Sequence, residues 1–201
     1  YVLADPTFIP QSARHLLAEK VHDLPSLITI DPILDVPPSD LPMLRNGHVT
    51  FGVFNRIYKI SDEAIRVWST VMREATGSKI IIKHGLLDDP LLRDSLVARF
   101  VAHGIAAENI TCMGSTSRHE HLLAFAKVDI SLDTFPLNGG VSTWESLYAG
   151  VPVVAKLGNG ASSRAGGSLV AAVGREDRVA EDDGGYVAIA CKYADPPDPL
   201  A

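Results

Sequence analysis

Cysteine is nearly absent from this chain: Cys112 and Cys191 stand far apart and outside any C-x-x-C pattern. Such spacing builds neither a disulfide framework nor a zinc site, so a reducing cytoplasm is the expected compartment. A basic surplus is missing too. The 18 Lys and Arg face 24 Asp and Glu, a net charge of −6, which argues against a general nucleic-acid surface but allows a local basic pocket for a phosphorylated small molecule. No apolar run approaches the ~18 residues of a membrane span. The opening Y-V-L-A-D-P does not form a signal peptide. Internal repeats, low-complexity tracts, the full G-x-G-x-x-G fingerprint and any clustered Asp or His pair demanding a metal are all lacking. The chain opens without Met and ends on P-P-D-P-L-A, so a segment of a longer polypeptide is expected.

What is present is ordinary globular material. Hydrophobic residues make up 46% and charged residues 21% of the 201 positions, and a fold of this size buries roughly 70% of its unfolded surface. Residues 1–48 carry seven prolines between Pro6 and Pro42, with one helix-like segment over 12–21 and one apolar run over 27–30. They read as a connecting segment. From Val49 onward, short apolar runs alternate with amphipathic stretches. Strands are expected over 50–54, 79–83, 110–113, 128–132 and 151–155; helices over 61–75, 91–102, 118–126, 141–149, 162–173 and 184–193. Ser61, followed by Asp62 and Glu63, caps the first of these helices; Gly104, Gly150 and Gly174 stop later ones. Glu176 to Asp183, with five acidic residues, reads as a solvated loop. This alternation predicts an α/β fold, a doubly wound, mostly parallel Rossmann-like sheet over 49–201.

The chain is organised around residues 126–156. There a strand ends at Asp133 and Thr134, a loop carries Asn138, Gly139 and Gly140, and a helix begins at Val141. Two glycines before a helix let the backbone approach a ligand, and the helix start offers unpaired N–H groups to phosphate. Ser142 and Thr143 add hydroxyls, and Glu145 lies where a carboxylate can accept from a ribose diol. The same residues also suit a plain tight turn with helix caps, and spacing alone leaves both readings open. In doubly wound sheets ligands bind beyond the carboxyl ends of the strands. Those loops hold Arg56, Lys59, Arg118 and Arg164, cations on one rim that suit an anionic ligand. His84 stands at a strand end, and Trp68 and Trp144 are expected in the core.

The runs F-N-R-I-Y-K-I at 54–60, S-R-H-E-H-L-L-A at 117–124, D-I-S-L-D-T-F-P-L-N-G-G-V-S-T-W-E-S-L-Y-A-G-V-P-V-V at 129–154 and S-S-R-A-G-G-S-L at 162–169 resemble the protein O-linked N-acetylglucosamine transferases. The resemblance, to a bacterial version of the family, covers about three quarters of the chain. It implies the second lobe of a GT-B catalytic region, a UDP-sugar-binding lobe over 49–201 preceded by an interlobe segment over 1–48. The first lobe and tetratricopeptide repeats would lie outside this chain.

The resemblance also implies roles. Lys59 matches the lysine on the donor diphosphate, where an ammonium stabilises the departing UDP. Arg56 stands where many relatives carry Gln facing the uridine diphosphate, and Arg118 where they carry Lys near the uridine. His121 matches a histidine against the nucleoside, and backbone groups around Ser115 and Thr116 read the uracil. Where animal relatives have G-H-T-T-G ahead of an Asp, this chain has Gly139, Gly140, Val141, Ser142 and Thr143, then Trp144 and Glu145. Gly140 and Val141 therefore contribute no side-chain contacts of the histidine and threonine kind. The implied activity is inverting transfer of N-acetylglucosamine from UDP-GlcNAc to Ser or Thr hydroxyls of an acceptor protein, with UDP-GlcNAc as substrate and neither a metal nor another cofactor expected. A noncatalytic nucleotide-sugar or interaction module, or another GT-B activity such as a sugar 2-epimerase or a different donor, remains open at this point.

Overall fold

Apolar runs too short to cross a helix-sized core, each followed by an amphipathic stretch, settle as parallel strands with crossover helices. The computed structural model describes residues 1–26 and 40–195. The apolar run at 27–30 and the closing P-P-D-P-L-A lie outside the described residues. In chain order the elements are β1 (Val2–Ala4), β2 (Val21–Asp23), α1 (Met43–Asn46), β3 (Thr50–Val53), α2 (Asp62–Glu74), β4 (Lys79–Lys83), α3 (Pro90–Val101), β5 (Ile110–Met113), α4 (Arg118–Leu123), β6 (Ile130–Leu132), α5 (Val141–Tyr148), β7 (Val153–Lys156), α6 (Ala165–Ala172), β8 (Val179–Ala180) and α7 (Asp183–Ala194).

Strands β3 to β8 form one parallel sheet in the order β5-β4-β3-β6-β7-β8. The order reverses between β3 and β6, so the crevice outside their carboxyl ends is the topological switch point where such folds take ligands. One face is covered by α2, α3 and α7 around Phe51, Trp68, Ile80, Phe100, Phe135 and Tyr186, all essentially inaccessible. On the other face Phe54 stacks on Phe125 at 4.1 Å, packed with Leu122, Val128 and Val151. Asp129 pins the amino ends: Oδ1 accepts from Met43 N at 2.7 Å and Oδ2 from Thr50 N at 2.8 Å.

Ser61 caps α2 by accepting from Ala64 N, as its sequence position requires. Gly104, Gly150 and Gly174 follow their helices with φ of 82°, 81° and 71°, the left-handed geometry of a C-terminal stop. Four expectations are corrected. The helix expected over 12–21 is a 3-10 turn, Gln11–Leu16, with no buried face to hold it, followed by β2. The acidic loop at 176–183 contains β8, because Val179 and Ala180 pair with Ala155 and Lys156 and extend the sheet. The helix expected over 118–126 tightens after Leu123 into a 3-10 turn that places Phe125 on Phe54. Trp144 is only half-buried and stacks on Tyr148 at 4.9 Å, whereas Trp68 is core.

Residues 1–26 pack on the edge of this lobe. The parallel pair β1-β2 is held there by Asp5, whose Oδ2 accepts from Ser168 Oγ, and by Arg164 Nε donating to Thr7 O at 2.6 Å.

Candidate functional site

Three loops meet at the switch point. The first leaves β3 through Asn55 and turns at Ile57–Lys59. The second leaves β6 through Asp133 and Thr134, passes the cis Phe135–Pro136 peptide, and runs through Asn138 and Gly139 into α5. The third leaves β5 and enters α4 through a reciprocal Ser117–Glu120 capping box.

Lys59 lies across the glycine loop, its Nζ donating to Asn138 O at 2.6 Å. That places an ammonium within reach of the N-terminus of α5, whose N-cap, Gly140, has no capping side chain. The first helical N–H groups there are thus without a side-chain acceptor, and both the charge and the helix dipole favour an anion. Val141 is exposed and Ser142 half-buried at this end.

Asp133 organises the loop from beneath. It is 2% exposed, and its Oδ1 accepts from Gly139 N at 2.7 Å, Thr134 N at 2.9 Å, Asn55 Nδ2 at 3.2 Å and Thr143 Oγ1 at 3.5 Å. Asn55 Nδ2 also donates to Thr134 Oγ1 at 2.7 Å. A side chain at position 139 would bring Cβ within 2.8 Å of Asp133 Oδ1, which is why glycine stands there. Burial pushes the Asp133 carboxyl up to about 6, against the pull of the Gly139 N–H, Asn55, the Thr134 N–H and the Lys59 charge. Behind it, Tyr186 Oη donates to Asp133 O at 3.1 Å, and Trp68 Nε1 donates to Tyr186 Oη at 3.2 Å.

Glu145, 3% exposed, sits one turn into α5. His121 Nε2 is 3.1 Å from its Oε2, and Arg118 Nη2 lies 2.5 Å from Oε1 as a close ion pair without an aligned hydrogen bond. The capping box sets this geometry, since Arg118 and His121 are three apart on α4 and so share the face turned to α5. Burial would raise the Glu145 carboxyl, but His121 and Arg118 outweigh it and hold the group below its ordinary range.

Of the expected residues, the fold therefore brings Lys59, Arg118, His121, Gly139, Gly140, Val141, Ser142, Thr143 and Glu145 to one crevice. Thr143 is turned inward onto Asp133, so its hydroxyl does not face the open side. Ser115 N is engaged by both carboxylate oxygens of Asp88 at 3.1 Å, and Thr116 is exposed beside it. Arg56 is exposed and donates to Tyr58 Oη at 2.7 Å; it also faces His84, whose pKa is lowered by burial and then by that guanidinium. Arg164 leaves the cationic rim: its guanidinium is engaged by Thr7 O and Gly158 O. Sequence reasoning placed Asn55, Asp133 and Asn138 in the strand-end loops but gave them no role in building the site. The signal was the strand-end D-T before N-G-G, since a carboxylate there is within reach of the loop N–H groups.

Among the described residues no three His, Cys, Asp or Glu side chains cluster as a metal site would. No described helix is long and apolar enough to cross a membrane. A cavity of about 620 Å³, lined by Phe135, Leu137, Lys156, Asn159 and Ser163, opens beyond β6 and β7 beside the loop. A larger one of about 800 Å³, between α1, α2 and α7 at the amino ends of the strands, is remote from the convergent polar groups.

Comparison with known proteins bears on the family and the fold. The description "Glycosyl transferase family 41" matches residues 39–200. The chain is 33% identical, over 96% of its length, to the protein from Solanum lycopersicum described as probable UDP-N-acetylglucosamine–peptide N-acetylglucosaminyltransferase SPINDLY; it spans about a fifth (21%) of that relative. The SEC protein of Arabidopsis thaliana, described as the same kind of transferase, is 24% identical over 87% of the chain and is covered for 18% of its own length. An O-GlcNAc transferase mutant from Thermobaculum terrenum superposes with a TM-score of 0.89 at 26% identity, over 98% of this chain and 38% of that one. With a matching family description over most of its length, and with the sheet order and switch-point loops of a GT-B second lobe, the chain belongs to glycosyl transferase family 41.

Proposed function

We propose that this chain is the donor-binding lobe of an inverting glycosyltransferase that moves N-acetylglucosamine from UDP to Ser or Thr hydroxyls of proteins. Residues 49–201 form the lobe and residues 1–48 the segment leading to a first lobe elsewhere in the polypeptide. The observation that carries this reading is Lys59 held 2.6 Å from Asn138 O across an uncapped helix start, with Glu145 buried behind it. Lys59 and the first N–H groups of α5 hold the diphosphate and stabilise its charge as the glycosidic bond breaks. Glu145 receives the ribose diol once Arg118, which covers Oε1 in the free protein, swings aside, and His121 and the backbone at Ser115 and Thr116 line the nucleoside side. The acceptor hydroxyl attacks from the face opposite UDP, and its proton passes to a base outside this chain. No metal is assigned to the diphosphate. The relatives' printed names support the transferase reading, and two cysteines outside any C-x-x-C pattern suit a cytoplasmic setting.

The loop itself favours attention to the donor sugar. Gly140 has no side chain and that of Val141 is exposed but apolar, so neither supplies a hydrogen-bonding side chain to select the sugar. The test is transfer of labelled sugar to protein by the complete polypeptide, run with UDP-GlcNAc alongside other nucleotide sugars. Incorporation from UDP-GlcNAc that is lost in Lys59→Ala supports the assignment. Incorporation from another donor alone overturns the sugar assignment, and binding without transfer from any donor indicates a noncatalytic module. Free N-acetylmannosamine as product would mean a 2-epimerase.

A further inference from the structure

Asp133 Oδ2 is a buried carboxylate oxygen without a hydrogen-bond partner, while Oδ1 of the same group gathers four donors. Oδ2 is packed against α6, where a Cβ at Gly166 would lie 1.8 Å from it. Oδ2 meets the backbone at the start of α6, whose dipole favours charge but which gives it no hydrogen bond, so a proton there removes a buried charge that is only partly compensated. The groups that do favour the carboxylate are the N–H of Gly139, the amide of Asn55, the N–H of Thr134 and the ammonium of Lys59. The loop and Lys59 are also what a diphosphate would draw upon.

We propose that Asp133 is a proton-linked positioning residue of the donor site: it fixes the glycine loop in the free protein, and a diphosphate seated on that loop is bound together with a proton on Asp133. This rests on the donor-site reading above. The cause is local electrostatics. An anion at the start of α5 takes up the Lys59 charge and adds a negative neighbour, and both effects favour the neutral carboxyl. The titratable groups facing Asp133 are Lys59 from the β3 loop and Tyr186 from α7, whose phenol burial pushes well above its ordinary range. Asn55 and Thr143, which also face it from the β3 loop and α5, do not titrate. Of the groups at this position, Asp133 is the one that burial shifts toward neutral pH. No chemical step is assigned to it, because it lies beneath the loop backbone.

The test is calorimetric titration of UDP-GlcNAc, whose diphosphate diester does not itself titrate near neutrality, into the 201-residue chain in buffers of differing ionisation heat. With a free-state value of about 6 and a bound-state value about one unit higher, binding at pH 6.5 takes up about half a proton, and affinity tightens about five-fold from pH 8 to pH 6. In Asp133→Asn both the uptake and the pH dependence fall well below those of the unaltered chain. Carboxyl carbon NMR of labelled aspartate in the unaltered chain, with and without UDP-GlcNAc, reads the same proton if that variant does not fold; an upward move of the Asp133 titration on binding is expected. Binding with no proton uptake and no such move overturns the inference and leaves the donor site standing. Absence of binding at any pH overturns the donor-site reading, and this inference with it.

Discussion

Replacing Lys59 with alanine is expected to weaken UDP binding about 30-fold without unfolding the lobe. Two unit charges about 4 Å apart near a protein surface attract by about 4 kcal/mol at an effective dielectric constant of ~20. Lys59 must first leave Asn138 O, 2.6 Å away, a charge-assisted bond worth about 2 kcal/mol. The difference, about 2 kcal/mol, corresponds to roughly 30-fold in affinity. Lys59 is half-buried and donates to one carbonyl, so its removal costs little stability, and the melting temperature is expected to stay within a few degrees. Calorimetric titration at low and moderate salt, with thermal melts as the folding control, makes the measurement. The unaltered chain should lose affinity as salt rises and the variant less steeply, because the variant has one charge fewer to screen. Lys59→Arg keeps the charge on a bulkier head and should recover part of the affinity. An alanine variant that binds UDP within three-fold of the unaltered chain at both salt concentrations would refute the placement of the diphosphate at Lys59.

Glu145→Gln should weaken UDP binding about ten-fold and lower the melting temperature at neutral pH, since it removes the buried partner of Arg118 and His121. The pKa of Glu145 is depressed in the folded state, so its stabilisation is present above its ordinary value and lost as pH falls through the depressed one. The melting difference between variant and unaltered chain should therefore shrink on acidification below about pH 4.5. Asp129→Ala leaves the N–H groups of Met43 and Thr50 without acceptors, at a cost of about 2 kcal/mol or 4–8 °C in the melt, while UDP affinity of the folded fraction is unchanged because the site lies at the opposite end of the strands. Gly166→Ala forces a methyl to 1.8 Å from Asp133 Oδ2. Overpacking of this kind costs about 1–3 kcal/mol, and thermal melts together with UDP titration should show stability and binding falling in parallel.

Local chemistry made much of the lobe legible. Ser61 with its following acids, the apolar runs at 79–83 and 110–113, and the glycines at 104, 150 and 174 act through neighbours within a turn or two, and each element formed where those residues placed it. The edge strand Val179–Ala180 was hidden because two residues carry no periodicity, and acidic flanks masked a pairing that depends on Ala155 and Lys156 being presented to it. The 3-10 turn at 11–16 replaced a helix because, among the described residues, none of its side chains is buried.

In the site the same division holds. The sequence by itself determined that Asn138, Gly139 and Gly140 lead into a helix at the carboxyl end of a strand, that Lys59 follows another such end, and that Glu145 lies one turn inside, since all three follow from short-range spacing. Tertiary structure alone decided that β3 and β6 are neighbours, which is what lays Lys59 over Asn138. It also turned Thr143 inward, drew Arg164 to Thr7, closed Arg118 and His121 onto Glu145, and buried Asp133 with one oxygen satisfied and the other bare. The reason is distance along the chain. Asn55 meets Asp133 across 78 residues and Arg164 meets Thr7 across 157, so the orientation of each polar side chain is fixed by a partner that local propensity does not encode.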